Sequence, residues 1–178
     1  MPDADSPTLT LEVNEEDHIQ GADAAQLTLV EYGDYQCPYC RKAHSIVKKI
    51  QEAMGDKLRF VFRDFPLTKI HPNALHAAEA SEIAAEHGKF WEMHDALFEN
   101  QAALEDENLI AYAESFGIDR SKFAEDLENG TYEKKVRAEF LSGIESGVNA
   151  TPTFFINGVR FDERWEYENL LDALQNAE

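Results

Sequence analysis

Only two cysteines occur among the 178 residues, Cys37 and Cys40. A framework of structural disulfides needs several cysteines spread along the chain, so it is excluded. A zinc site needs four ligands; the pair supplies two and His44, on the same helix face, could add a third. Nothing is spaced to supply the fourth, and no metal is expected. Basic residues are also scarce, 16 against 35 acidic ones, for a net charge of −19. That balance excludes nucleic acid and anionic membranes as partners, since both need basic patches. No run approaches the roughly 18 consecutive apolar residues of a membrane span. No glycine-rich phosphate loop or serine nucleophile motif is present, so phosphoryl and acyl transfer have no support.

What remains is a chain long enough to bury a full core as one domain with an elaboration. Its first residues, Met1-Pro2-Asp3-Ala4-Asp5-Ser6-Pro7, are acidic and lack the positive start and apolar stretch of a secretory signal. Taken as the natural start, they point to the cytoplasm. A mature chain whose leader had been removed would read the same, with a periplasmic or extracytoplasmic location. Residues 1–7 are expected to be flexible. The most lopsided segment, Glu99 to Glu128, sets nine acidic residues against Arg120 and Lys122. Partners using that face should be basic.

Hydrophobic periodicity gives the organisation. Leu9, Leu11 and Val13 alternate with polar neighbours and predict a strand over Thr8–Val13. A polar loop through Gly21 leads to a second strand, Leu27–Tyr32. A helix begins at Pro38, with Tyr39, Ala43, Ile46, Val47, Ile50 and Met54 forming one apolar stripe. Proline suits the first helical position and Gly55 a helix stop. Leu58–Arg63 returns as a strand, and strand–helix–strand predicts a right-handed crossover with parallel strands. From residue 68 to 147 the period is helical only. Thr153–Ile156, the turn pair Asn157-Gly158 and Val159–Phe161 then read as a hairpin, and Tyr167, Leu170, Leu171 and Leu174 as a final helix. The fold class is α/β: a thioredoxin-like domain over residues 8–67 and 148–178, with a helical domain inserted over residues 68–147.

Both cysteines sit where a strand passes into a helix, the setting of a dithiol redox pair. Cys37, at the helix start, meets unsatisfied N–H groups and the positive end of the helix dipole, which favour a thiolate. A stabilised thiolate is better populated as a nucleophile and better as a leaving group. Cys40, one turn inside the helix, should be more buried and more protonated. Cys37 is therefore expected to attack or be attacked, and Cys40 to resolve the mixed disulfide. Glu31, in mid-strand six residues earlier, is either a buried proton acceptor near Cys40 or a strand-end acid reaching water. Proline at position 152, just before a strand, is either tolerated on steric grounds or the second half of a cis Thr151–Pro152 bond. His71-Pro72 is expected to start a helix. His76, His87 and His94 read as surface or packing residues rather than catalysts.

Several blocks together resemble the DsbA-like thioredoxin-fold proteins. They are Val30-Glu31-Tyr32-Gly33-Asp34-Tyr35-Gln36-Cys37-Pro38-Tyr39-Cys40, Phe62-Arg63-Asp64-Phe65-Pro66-Leu67 and His71-Pro72-Asn73-Ala74. The run from Gly88 to Phe98 and the run from Gly147 to Gly158 complete them, in the family's order and over roughly residues 15 to 175. The resemblance implies dithiol–disulfide exchange by Cys37 and Cys40 on protein or low-molecular-weight thiol and disulfide substrates, with a redox partner it does not identify. It implies no cofactor beyond the redox-active disulfide. It also implies that Pro152 is cis and faces the cysteines, that the Thr151 backbone pairs a substrate strand, and that Glu31 is the family's buried acid. Pro38 and Tyr39 would touch substrate; the strongest oxidants of the family carry Pro-His where this chain has Pro-Tyr. Two other functions stay open: a glutathione-linked reductase or isomerase, and a redox-sensing or chaperone-like module that binds clients with little turnover.

Overall fold

The computed structural model describes residues 5–177. The flexible segment expected at the N-terminus therefore lies, for residues 1–4, outside the described residues. Five strands form one sheet in the order β1–β3–β2–β4–β5. They are β1 (His18–Gly21), β2 (Leu27–Gly33), β3 (Leu58–Asp64), β4 (Thr153–Ile156) and β5 (Val159–Phe161). Seven helices accompany them: α1 (Pro38–Met54), α2 (Ala74–Ala85), α3 (Phe90–Glu99), α4 (Asp106–Ser115), α5 (Arg120–Asn129), α6 (Glu133–Glu145) and α7 (Tyr167–Asn176). This is the expected thioredoxin-like α/β fold with a run of helices between β3 and β4.

Backbone contacts divide the chain into two compact units. The first comprises residues to Gly33, Lys42–Arg63 and Leu141 onward. It holds the sheet, except for Asp64, together with most of α1 and α7. The inner strands β2 and β3 are buried at every position but their second residue, as a sheet covered on both faces requires. β4 runs antiparallel to β2, with Glu31 opposite Phe154, and β5 closes the hairpin. Asn157 takes a positive φ of 49° in the hairpin turn, beside Gly158, the geometry that favours Asn-Gly. On α1, Ala43, Val47, Ile50 and Met54 are buried at the spacing of one helical face. Tyr39 departs from the expected stripe: it is 66% exposed, and Cys40 takes the inward position.

The strand expected over Thr8–Val13 does not form. Only a single bridge, Thr8 to Val159, is made there, because other partners claim the backbone. Thr10 N–H donates to Ser146 Oγ, and the carbonyls of Leu11 and Glu12 accept from the Arg63 guanidinium. Arg63 is fully buried on β3, and its remaining hydrogens go to the Asp17 carboxylate and Tyr32 Oη. A buried charge this fully paired avoids the large penalty of an isolated one. The first strand is instead His18–Gly21, antiparallel to β3.

The second unit comprises Asp34–Arg41 and Asp64–Phe140. Its helical part thus begins and ends a few residues earlier than the 68–147 insertion expected. It also takes in the turn that carries both cysteines, which was expected with the sheet. α2 is the middle helix, packed on α3, α4 and α5. Its alanines explain this: Ala74, Ala77, Ala78, Ala80 and Ala84 are all buried, and small side chains let several helices approach at once. Asp119 caps α5 by accepting from Lys122 N–H, and Gly130 ends it with φ 61°, conventional start and stop signals.

Candidate active site

Cys37 is the last residue before α1, and its carbonyl accepts the N–H of Arg41 at 3.2 Å, the first helical bond. Its own N–H donates to the carbonyl of Asp34 at 3.1 Å, which folds residues 34–37 into a tight turn. Both sulfurs are therefore held at the N-terminal end of one helix, the position that favours a thiolate. Cys40 is fully buried and Cys37 retains 4% exposure. Pro38 and Tyr39 stand exposed between them. The Cys40 sulfur accepts the backbone N–H of Asp34 at 3.4 Å.

Three residues that sequence reasoning did not single out build this turn. Asp34 is buried, and its carboxylate accepts from Gln36 N–H at 2.7 Å, Leu67 N–H at 2.8 Å and His71 Nδ1 at 2.8 Å. Gln36 Oε1 accepts from Asn73 N–H. Gln101, in the loop after α3, donates from Nε2 to the carbonyls of Tyr35 and Cys37 at 2.9 and 2.8 Å. The Asp34-to-Gln36 bond is a local Asx turn of the sort a short acidic residue forms before a helix, and it alone had a signal in the sequence. His71 does not start a helix; α2 begins at Ala74, and the His71 ring serves Asp34 instead.

Tyr35 anchors the same turn from below. It is buried, its hydroxyl lies 2.9 Å from His94 Nδ1, and its ring packs against Phe98. His94 is thus a buried packing residue. Asp64, Glu82 and Glu139 are also buried, with carboxylate oxygens within 4.8 Å of one another. Lys135 faces them, 2.7 Å from Glu82 and 4.0 Å from Glu139, and Glu139 also accepts from Asp64 N–H. One ammonium against three carboxylates leaves excess negative charge. Burial first, then the charges of Glu139 and Glu82, hold the Asp64 carboxyl well above its ordinary range. Burial and the same acids raise the Tyr35 phenol.

The remaining expected residues lie in the first unit. Glu31 is buried on β2, not reaching water at a strand end. Gly33 leaves room beside it: a Cβ there would stand 3.2 Å from Glu31 Oε1 and under 3 Å from the Phe62 ring. The Thr151–Pro152 bond is cis, and both residues are buried. Pro152 lines a hollow of about 240 Å³ with Asn149, Thr153, Arg160 and Trp165.

The family model described as Thioredoxin matches residues 13–176. Among curated proteins, the chain is similar to the Na(+)/H(+) antiporter NhaA 1 of Mycolicibacterium vanbaalenii, 40% identical over 163 residues. That match covers 89% of this chain and 26% of the antiporter; the chain spans about a quarter of the length of the curated relatives it matches. Among solved structures, it resembles oxidised BdbD from Bacillus subtilis with a TM-score of 0.83 and 25% identity, covering 96% of this chain and 95% of that one. A thioredoxin-like oxidoreductase from Silicibacter pomeroyi follows at 0.81 and 26%, covering 92% and 93%. α-DsbA1 of Wolbachia pipientis, at 0.78 and 22% and covering 94% of each chain, shares the fold.

Proposed function

Because the chain belongs to the thioredoxin family and has the fold of DsbA-like proteins, we propose that it is a thiol–disulfide oxidoreductase working through Cys37 and Cys40. The observation that carries this reading is the placement of the only two cysteines, one just before α1 and one in its first turn, with a backbone N–H on the second sulfur. In the reducing direction the Cys37 thiolate attacks one sulfur of a substrate disulfide. A bond forms between Cys37 and that sulfur, the substrate S–S bond breaks, and the departing sulfur leaves as a thiolate that takes up a proton. Cys40, deprotonated, then attacks the Cys37 sulfur, closing the Cys37–Cys40 disulfide and releasing the second substrate thiol. Two electrons pass from the dithiol to the substrate; in the oxidising direction each step reverses.

Glu31 is assigned to accept and return the Cys40 proton. Exposed Pro38 and Tyr39 are assigned to touch the substrate, and the Thr151 backbone beside Pro152 to pair with it as an extended strand. No cofactor is required, since the disulfide carries the electrons. The substrates are protein or small-molecule thiols and disulfides, and a net charge of −19 favours cationic ones over polyanions. An insulin-reduction and thiol-oxidation assay with a glutathione titration tests the reading: reversible disulfide formation with turnover supports it, and the absence of a Cys37–Cys40 disulfide refutes it.

A second reading is redox sensing, since an accessible low-pKa cysteine beside a resolving one also serves as a reversible switch. A sensor would form the disulfide reversibly in the same titration while turning over insulin negligibly.

A further inference from the structure

Resting on that reading of the cysteine pair, the geometry points to Asp34 and His71 as a positioning pair that holds an amide N–H on the sulfur of Cys40. Asp34 is tied through its main chain to both cysteines. Its carbonyl accepts the N–H of Cys37, and its N–H donates to Cys40 Sγ. Where that N–H points depends on the orientation of residue 34, and the buried carboxylate fixes it. Oδ1 takes the N–H of Gln36, while Oδ2 takes the N–H of Leu67 and the Nδ1 of His71. Rotating the carboxylate would strand a buried charge and its donors at once, each left with an unsatisfied hydrogen bond.

His71 reaches Asp34 from 37 residues further along the chain. Pro72 follows it and disfavours the α conformation at residue 71, so the imidazole is presented to the turn rather than carried into α2. Its side chain is 17% exposed while that of Asp34 is fully buried. Of the three donors to the carboxylate it is the only side chain, and the only one a substitution can remove without altering the backbone.

The effect on chemistry follows from what the N–H meets. A thiolate is a charged acceptor and binds an N–H strongly; a thiol or a disulfide sulfur is a weak acceptor. A fixed N–H at 3.4 Å therefore favours the reduced, deprotonated Cys40 over the disulfide. It also populates that thiolate at lower pH, so the nucleophile of the resolving step is available sooner; there it attacks the Cys37 sulfur and the bond from Cys37 to the substrate sulfur breaks. Asp34 and His71 touch neither reacting sulfur with their side chains. They act through the turn.

The test compares His71→Phe, His71→Asn and Asp34→Asn in the full chain. The readouts are the glutathione equilibrium of the cysteine pair and the pH dependence of mixed-disulfide resolution. His71→Phe should shift the equilibrium toward the disulfide by about tenfold, equivalent to about 30 mV for a two-electron couple, and move the onset of resolution to higher pH. His71→Asn places an amide N–H near the position of Nδ1 and should restore most of both. Asp34→Asn should shift both at least as far as His71→Phe; if that variant does not fold, the two His71 variants decide. Substitutions that lower the melting temperature but leave both readouts unmoved, or that shift the equilibrium toward the dithiol, would overturn the proposal. An unsubstituted protein that forms no reversible Cys37–Cys40 disulfide would instead refute the exchange reading.

Discussion

Cys37 and Cys40 share one helix end but not one environment, and that difference sets the roles assigned to them. Cys40 is fully buried and receives the Asp34 N–H; Cys37 keeps a trace of solvent exposure. Cys37→Ser should abolish exchange, whereas Cys40→Ser should still attack and accumulate mixed disulfides visible on a non-reducing gel. Normal turnover by Cys40→Ser without trapped partners would reverse the assignment. Between the sulfurs, Tyr39 supplies no cation to stabilise a thiolate beyond what the helix end gives. A glutathione titration is accordingly expected to place the pair at roughly −160 to −240 mV, between the strong oxidants and thioredoxin. A value near −120 mV would mean that something other than the dipeptide sets the poise. The cysteines, Glu31 and the Thr151–Pro152 dipeptide stand out in the sequence because each is anomalous where it stands: paired thiols at a strand-to-helix junction, an acid in mid-strand, a proline before a strand. Asp34, His71 and Gln101 do not. Each is an ordinary polar residue locally, and its partner lies 37 to 66 residues away, a pairing that periodicity does not encode.

The elements carry two further tests. Along β2, Gly33 is required by the Phe62 ring, which is buried and cannot swing aside; a Cβ would meet it at 2.6 Å. Gly33→Ala should cost about 1–3 kcal/mol in urea denaturation, although its φ needs no glycine. In the second unit, Asp64, Glu82 of α2, and Glu139 and Lys135 of α6 form the buried acid cluster. The Asp64 carboxyl is raised above its ordinary value of 3.8, so it binds a proton in the folded protein at pH values where the unfolded chain has released it. Its contribution is complete below about pH 4 and is lost as pH rises toward the folded value. Asp64→Asn, which mimics the protonated acid, should flatten that decline relative to the parent. Denaturant titrations from pH 4 to 8 measure it, and an unchanged slope would mean that Asp64 ionises normally. The first and last helices were legible from their period, and the end of the first from Gly55. The first strand was not, because the alternation of Leu9, Leu11 and Val13 predicts a ladder only if the backbone is free to pair. Here Arg63 and Ser146 take those groups, while the less patterned His18–Gly21 finds the open side of β3.

For the chain as a whole, the order of elements was readable as a thioredoxin-like sheet interrupted by helices, since both periods are strong and change sharply near residues 68 and 147. The grouping of the cysteine turn with the helices was not readable, since it depends on long-range bonds such as those from Gln101 and Leu67. The high acidity had no structural consequence predictable from composition, yet part of it is now located in the buried cluster around Lys135. One contact at the chain's beginning also has reach. The Pro7 carbonyl accepts from Arg160 N–H, and Leu9 N–H donates to the Gly158 carbonyl, so this short stretch lies along the outer side of β5, the last strand of the sheet. An uncovered sheet margin is a template for self-association. A chain trimmed to start at Thr10 should keep its helices by circular dichroism but form concentration-dependent dimers or higher species on size-exclusion chromatography. Pro7, Thr8 and Leu9 are then a guard against polymerisation, and fusing this unit to another protein would need a junction that leaves them in place.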